Sequence, residues 1–141
     1  MNEKVFYVLL GRSMYHIDSI YAEFAKKSSV TPTLLWILYA INDNKVHTQR
    51  EICYDWSLPK STVNTLIMEL KNKDYVKLEP IKGKRREMNI IITESGKKYA
   101  NNVLKDIYQK EAEVFKKLDF NVDDFVKKLQ KLELLLGKGD M

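Results

Sequence analysis

Seven cations, Lys71, Lys73, Lys77, Lys82, Lys84, Arg85 and Arg86, fall within residues 71–86, against Asp74 and Glu79. That net of +5 equals the formal charge of the whole 141-residue chain. Elsewhere the charges nearly cancel: +1 over residues 1–46, −1 over 47–70 and zero over 87–141. Read alone, the segment is a solvated Lys-rich loop, but its context argues for a phosphate-bearing partner. Just ahead of it stand Lys60, Ser61, Thr62, Asn64, Thr65 and Met68. An asparagine amide can pair with an adenine edge, hydroxyls donate or accept, and Thr or Met methyls can meet the thymine methyl. The chemistry these two sets share is recognition of duplex DNA. The small polar residues reach base edges, and the basic residues hold phosphates or enter a narrow minor groove.

Other chemistry is poorly supported. Cys53 is the single cysteine, so neither an intramolecular disulfide nor a Cys-based zinc cluster can form. His16 and His47 are the only histidines, too few and too far apart for a metal sensor. There is no Gly-rich phosphate loop, nucleophile elbow or Cys–His arrangement. The expectation is a protein without catalytic residues, metal or cofactor. No apolar run reaches the roughly 18 residues needed to span a bilayer. Met1–Val5 does not look like the start of a signal peptide, so the expected setting is the cytoplasm.

The elements that would position these groups follow from periodicity and capping. Residues 5–28 carry apolar side chains at mostly helical spacing. Thr31 and Pro32 read as the cap and first residue of a second helix. That helix holds Leu34, Leu35, Trp36, Ile37, Leu38, Tyr39 and Ile41, apolar nearly all round, as a buried or interface helix would be. Thr48-Gln49-Arg50-Glu51 is a capping box. It opens a short helix with Ile52, Cys53 and Trp56 inward. After a tight turn at Ser57-Leu58-Pro59, a fourth helix runs to about Asn72 with Val63, Leu66, Ile67 and Leu70 on one stripe. Two short helices joined this way have the spacing of a helix-turn-helix. The period then shifts toward 2: Tyr75–Leu78 and Met88–Ile92 read as strands around a basic tip. Arg85 and Arg86, if in a strand, point to opposite faces, so one of them should brace the hairpin. A long helix starts at Thr93 and runs to about Lys117. A last one, capped by Asn121, carries Phe125, Val126, Leu129, Leu132, Leu135 and Leu136 and stops at Gly137. The fold class expected is mainly α with a small β-hairpin wing. A winged helix-turn-helix lobe (residues 31–92) is flanked by helical regions (1–28 and 93–141) in one domain.

In order and spacing these pieces resemble the MarR-type multiple-antibiotic-resistance regulators over nearly the whole chain. The carriers are Thr31-Pro32, Thr48–Ile52, Pro59–Val63, Leu70–Val76, Arg85-Arg86 and Ile92–Gly96. The sequence departs from that pattern at Asp74, where glycine is usual. It departs again at Lys84, where an aspartate usually anchors a wing arginine. The resemblance implies a homodimeric repressor on a near-palindromic operator, contacted through Arg50, Lys60, Ser61, Thr62, Asn64, Thr65, Met68, Lys82, Lys84, Arg85 and Arg86. The first helix and the two C-terminal helices would pack across the two-fold axis. It also implies a small aromatic or anionic effector, for which Tyr15, His16, Trp36 and Tyr39 are candidates. Redox sensing would fall to Cys53, which reads more simply as a small buried hydrophobe. The competing reading is a winged-helix protein–protein module that does not read DNA. Such a module has no need to concentrate the net charge on the wing.

Overall fold

A computed structural model describes residues 1–137 of the chain. It divides into two compact units, one spanning Met1–Ile107 and a second beginning at Tyr108. Among the described residues nine elements run in the order α1 (Glu3–Lys27), α2 (Pro32–Ile41), β1 (His47–Thr48), α3 (Gln49–Trp56), α4 (Lys60–Asn72), β2 (Val76–Pro80), β3 (Met88–Ile92), α5 (Glu94–Phe115) and α6 (Val122–Gly137).

The helix starts are set by side chains that accept from otherwise unpaired N–H groups. Asn2 Oδ1 accepts from Val5 N at 3.0 Å, and Thr31 Oγ1 from Leu34 N at 3.2 Å. Thr48 Oγ1 accepts from Glu51 N at 3.1 Å, and Asn121 Oδ1 from Asp124 N at 2.9 Å. The capping box at α3 differs in its second half from the expectation. The Glu51 carboxylate lies 3.7 Å from His47 Nδ1.

The core of the first unit is apolar and built around α2. Leu35, Ile37, Leu38 and Ile41 are buried there beside Ile52 of α3, Val63, Ile67 and Leu70 of α4, and Ile90 of β3. Ala100, Val103, Leu104 and Ile107 of α5 close it. No buried polar or charged residue occurs among the described residues. The α3–α4 turn passes through Ser57, whose φ of 49° is left-handed. Asp74, at the departure from the family pattern, takes φ 61°. Aspartate tolerates that conformation better than most residues. The carbonyl of Asp74 accepts from Thr93 Oγ1 at 2.6 Å and from Ser95 Oγ at 3.0 Å. The turn from α4 into the wing is thereby tied to the start of α5.

The sheet has the order β1–β3–β2 and is antiparallel throughout. In the wing Val76 faces Ile92 and Pro80 faces Met88. The expected hairpin is therefore present, with residues 81–87 as its tip. The third strand, β1, is an addition to the sequence reading. His47 pairs with Ile90 and Thr48 with Asn89, which joins the cap of α3 to the returning strand of the wing.

In the second unit, α6 has no buried residue. Phe125, Leu134, Leu135 and Leu136 are about half exposed or more. In the first unit, α1 likewise exposes Val8, Ile17 and Ile20.

Candidate nucleic-acid interface

Burying Val63, Ile67 and Leu70 turns the opposite face of α4 outward. On that face Lys60, Ser61, Asn64, Thr65 and Met68 are exposed, while Thr62 is partly covered. Pro59 stands at the N-cap position, where it has no side-chain hydrogen bond to offer. Free N–H groups at a helix start favour a nearby anion.

Two side-chain bonds narrow what this face can present. Thr65 Oγ1 donates to the Ser61 carbonyl at 3.0 Å, so its hydroxyl proton is spent. What remains outward is acceptor capacity and a methyl group. Gln49 Nε2 donates to Asn64 Oδ1 at 3.4 Å, linking the first residue of α3 to the middle of the polar face. In the sequence Gln49 stands out only within the cap and the Thr48–Ile52 motif. Its reach to Asn64, 15 residues away, depends on how α3 crosses α4.

Beside this face lies a cleft of about 790 Å³. Thr48, Gln49, Arg50 and Cys53 line one side, Lys60, Asn64, Met68 and Lys71 another, and Leu78, Arg86, Glu87 and Met88 the wing side. Four of these residues are cationic and one is a carboxylate. Of the expected DNA contacts, Arg50, Lys60, Asn64, Met68 and Arg86 come together here. Ser61, Thr62 and Thr65 lie outside the lining on α4. Lys82, Lys84 and Arg85 are exposed on the tip. Lys71, Leu78 and Met88 also line the cleft. Of these only Lys71 carried a signal in the sequence, as part of the basic segment.

Three expectations need correction. Arg85 and Arg86 do not occupy a strand with opposed faces, because β3 begins at Met88. Both are exposed in the bend before it, so neither braces the hairpin. The brace is Glu87. Its carboxylate lies 3.4 Å from Arg50 Nη1 and 3.6 Å from Lys84 Nζ. An acidic group three residues beyond Lys84 thus links the wing to α3, and its partners are Arg50 and Lys84 rather than a wing arginine. Nor is Cys53 a buried hydrophobe. It is half-buried and lines the cleft. Trp56 is only partly inward: it packs on Trp36 and Tyr39 of α2 at 5.5 and 5.9 Å but stays 36% exposed at the end of α3.

The effector candidates separate in the structure. Tyr15 is 78% exposed and His16 is also exposed, both on α1. Trp36 is the hub of an aromatic cluster, with ring centroids 5.0 Å from Tyr21, 5.7 Å from Tyr39 and 5.5 Å from Trp56. Of the four, Tyr39 lines a smaller pocket. Two groups have a displaced ionisation. Burial works to raise the Asp43 carboxyl, but bonds from His47 and the Lys45 N–H outweigh it and hold the carboxyl below its ordinary value. Burial pushes the Tyr99 phenol up, and Tyr75, stacked on it at 4.4 Å, adds to the rise. Among the described residues no His, Cys, Asp and Glu group is placed to hold a metal ion. No helix among them is long and apolar enough to cross a membrane.

A helix-turn-helix with an antiparallel wing, set between long helices, defines the MarR-type winged-helix fold, and this chain has it. The solved structure of NMB1585, a MarR family regulator from Neisseria meningitidis, is similar to it. It is 24% identical, covers 96% of this chain and 92% of its own, and superposes with a TM-score of 0.75. NadR in complex with 4-hydroxyphenylacetate is 11% identical, with coverages of 93% and 91% and a TM-score of 0.71. Reduced AbfR bound to DNA is 20% identical, with coverages of 96% and 99% and a TM-score of 0.69. No family model and no curated protein matches the sequence.

Proposed function

We propose that this chain is a sequence-specific double-stranded DNA-binding transcriptional regulator, acting as a homodimeric repressor that responds to a small molecule. The observation that carries the reading is the cleft between α3, α4 and the wing, with four cations beside the outward polar face of α4. The N-terminal half of α4 enters the major groove. Ser61, Asn64 and the Thr65 methyl then meet base edges, and Lys60 at the helix start approaches a phosphate. Lys82, Lys84, Arg85 and Arg86 hold phosphates or a narrow minor groove.

The exposed apolar faces of α1 and of α6 support self-association, because a lone chain leaves both in water. A two-fold dimer sets its recognition helices about 34–36 Å apart and reads a near-palindrome. AbfR is solved on DNA and NadR with a small aromatic acid. Those likenesses of fold support the same kind of partners for this chain.

The test is an electrophoretic shift with the DNA upstream of this gene, run over a range of salt. A specific complex that weakens steeply with salt is the expected result. A folded dimer that leaves this DNA unretarded at low salt overturns the reading.

A further inference from the structure

We propose that the pocket between the end of α2 and α3 binds an organic cation of the alkylammonium class. The pocket is about 410 Å³, within the ~300–1,000 Å³ range of small-molecule sites. Its chemistry comes from Tyr39, Asp43, His47, Ile52, Asp55 and Trp56.

Two features select the ligand class. The first is the pair of aromatic walls. The Tyr39 and Trp56 rings stand 5.9 Å apart and 71° to one another, forming a corner. Trp56 is held in place by stacking on Trp36 at 5.5 Å and 27°, and Trp36 is not part of the lining. Aromatic faces are electron-rich and attract a cation near the ring centroid. The second feature is charge. Two carboxylates line the pocket and no Lys or Arg does, although Lys45, outside the lining, lies close enough to Asp43 to help hold its carboxyl down. Asp43 already receives His47 Nε2 at 2.8 and 2.9 Å, whereas Asp55 is exposed on α3. Whichever state the His47 ring takes, the lining is formally negative. That sign is opposite to the +5 of the chain and to the neighbouring basic cleft. An anion is repelled here, and a neutral apolar molecule gains nothing from Asp55. An alkylammonium group uses the rings and the carboxylates together.

Trp36 and Trp56 are the two tryptophans of the chain, so intrinsic fluorescence reports on this cluster without a label. The inference stands apart from the DNA reading, since the experiment contains no DNA and either can fail alone. The full chain is titrated with tetramethylammonium chloride, with sodium chloride at equal ionic strength, and with tert-butanol as a neutral molecule of the same shape. The expected result is a saturable fluorescence change with tetramethylammonium, no saturable change with sodium, and at least tenfold weaker binding of tert-butanol. Asp55→Lys should weaken tetramethylammonium binding at least tenfold. Asp55→Asn, which keeps the side-chain shape, should weaken it several-fold with an unchanged thermal melt. No saturable change, tert-butanol binding as tightly as the cation, or unaltered binding by both Asp55 variants would each overturn the proposal.

Discussion

Glu87 Oε1 lies 3.4 Å from Arg50 Nη1, so a wing carboxylate spans the cleft to the exposed face of α3. The same carboxylate holds Lys84 Nζ at 3.6 Å. Arg50 is 83% exposed, and such a pair adds only about 0–1 kcal/mol to folding. Its consequence is electrostatic: one anion partly neutralises two cations on the face proposed to meet DNA. Glu87→Gln should therefore leave the melting temperature almost unchanged. It should tighten DNA binding at low salt and steepen the salt slope by about one charge. A salt titration of Kd for the two proteins checks this.

Asn64 and Lys82 should respond differently to the same set of operators. Asn64→Ala is expected to relax preference at one base pair, costing roughly 1–3 kcal/mol there and little elsewhere. Lys82→Ala should weaken every sequence alike and flatten the salt slope by about one charge. Lys84→Ala should act in the same direction by less, because Glu87 already takes part of the Lys84 charge. Affinities over single-base operator variants at two salt concentrations separate the two patterns. Identical behaviour of Asn64→Ala and Lys82→Ala would contradict the division of α4 to bases and wing to backbone.

At Gly96 the start of α5 lies against the backbone of Tyr75 and the side chain of Ile92. A Cβ built there meets the Tyr75 carbonyl, lying 2.8 Å from its carbon and 2.9 Å from Ile92 Cγ1. Backbone on one side leaves little room to yield. Gly96→Ala should cost about 1–3 kcal/mol as overpacking, read by urea denaturation. Gly11→Ala, where nothing lies within 4 Å, should not lower stability.

Tyr99 predicts an alkaline dependence. Its phenol is pushed up by burial and by Tyr75. A raised folded pKa contributes stability that is complete below the unfolded value of about 10. The contribution is lost as pH rises through the higher folded value. Tyr99→Phe should therefore flatten the fall in stability above about pH 10. Denaturant midpoints on either side of that pH, with phenolate absorbance followed in parallel, test the sign.

Asp43 works in the opposite direction. Its folded carboxyl lies below the ordinary value because His47 and the Lys45 N–H outweigh burial. The stabilisation is present above about pH 4 and is lost as pH falls through the lowered folded value. In Asp43→Asn the acid limb of the stability profile should be shallower, as followed by circular dichroism.

The helices were legible in the sequence because their signals are local. Thr31, Thr48 and Asn121 are caps that act within one turn, and the stripe of Val63, Ile67 and Leu70 needs only helical spacing. The wing followed from a change of period and a cluster of charge. The strand β1 was not legible, since two residues carry no period, and pairing of His47 with Ile90 joins positions far apart in the chain.

The architecture and the basic edge are legible along the chain, because caps, hydrophobic period and charge are properties of neighbouring residues. Which groups share a site emerges from the packing of the folded chain. It made Glu87 the brace in place of Arg85 or Arg86, set Gln49 against Asn64, opened Cys53 to the cleft and joined Tyr39 to Trp56 across two helices. A side-chain bond or ring contact between residues 15 to 37 positions apart depends on how helices and strands cross. That crossing is set by the packing of the whole core, which no local pattern records.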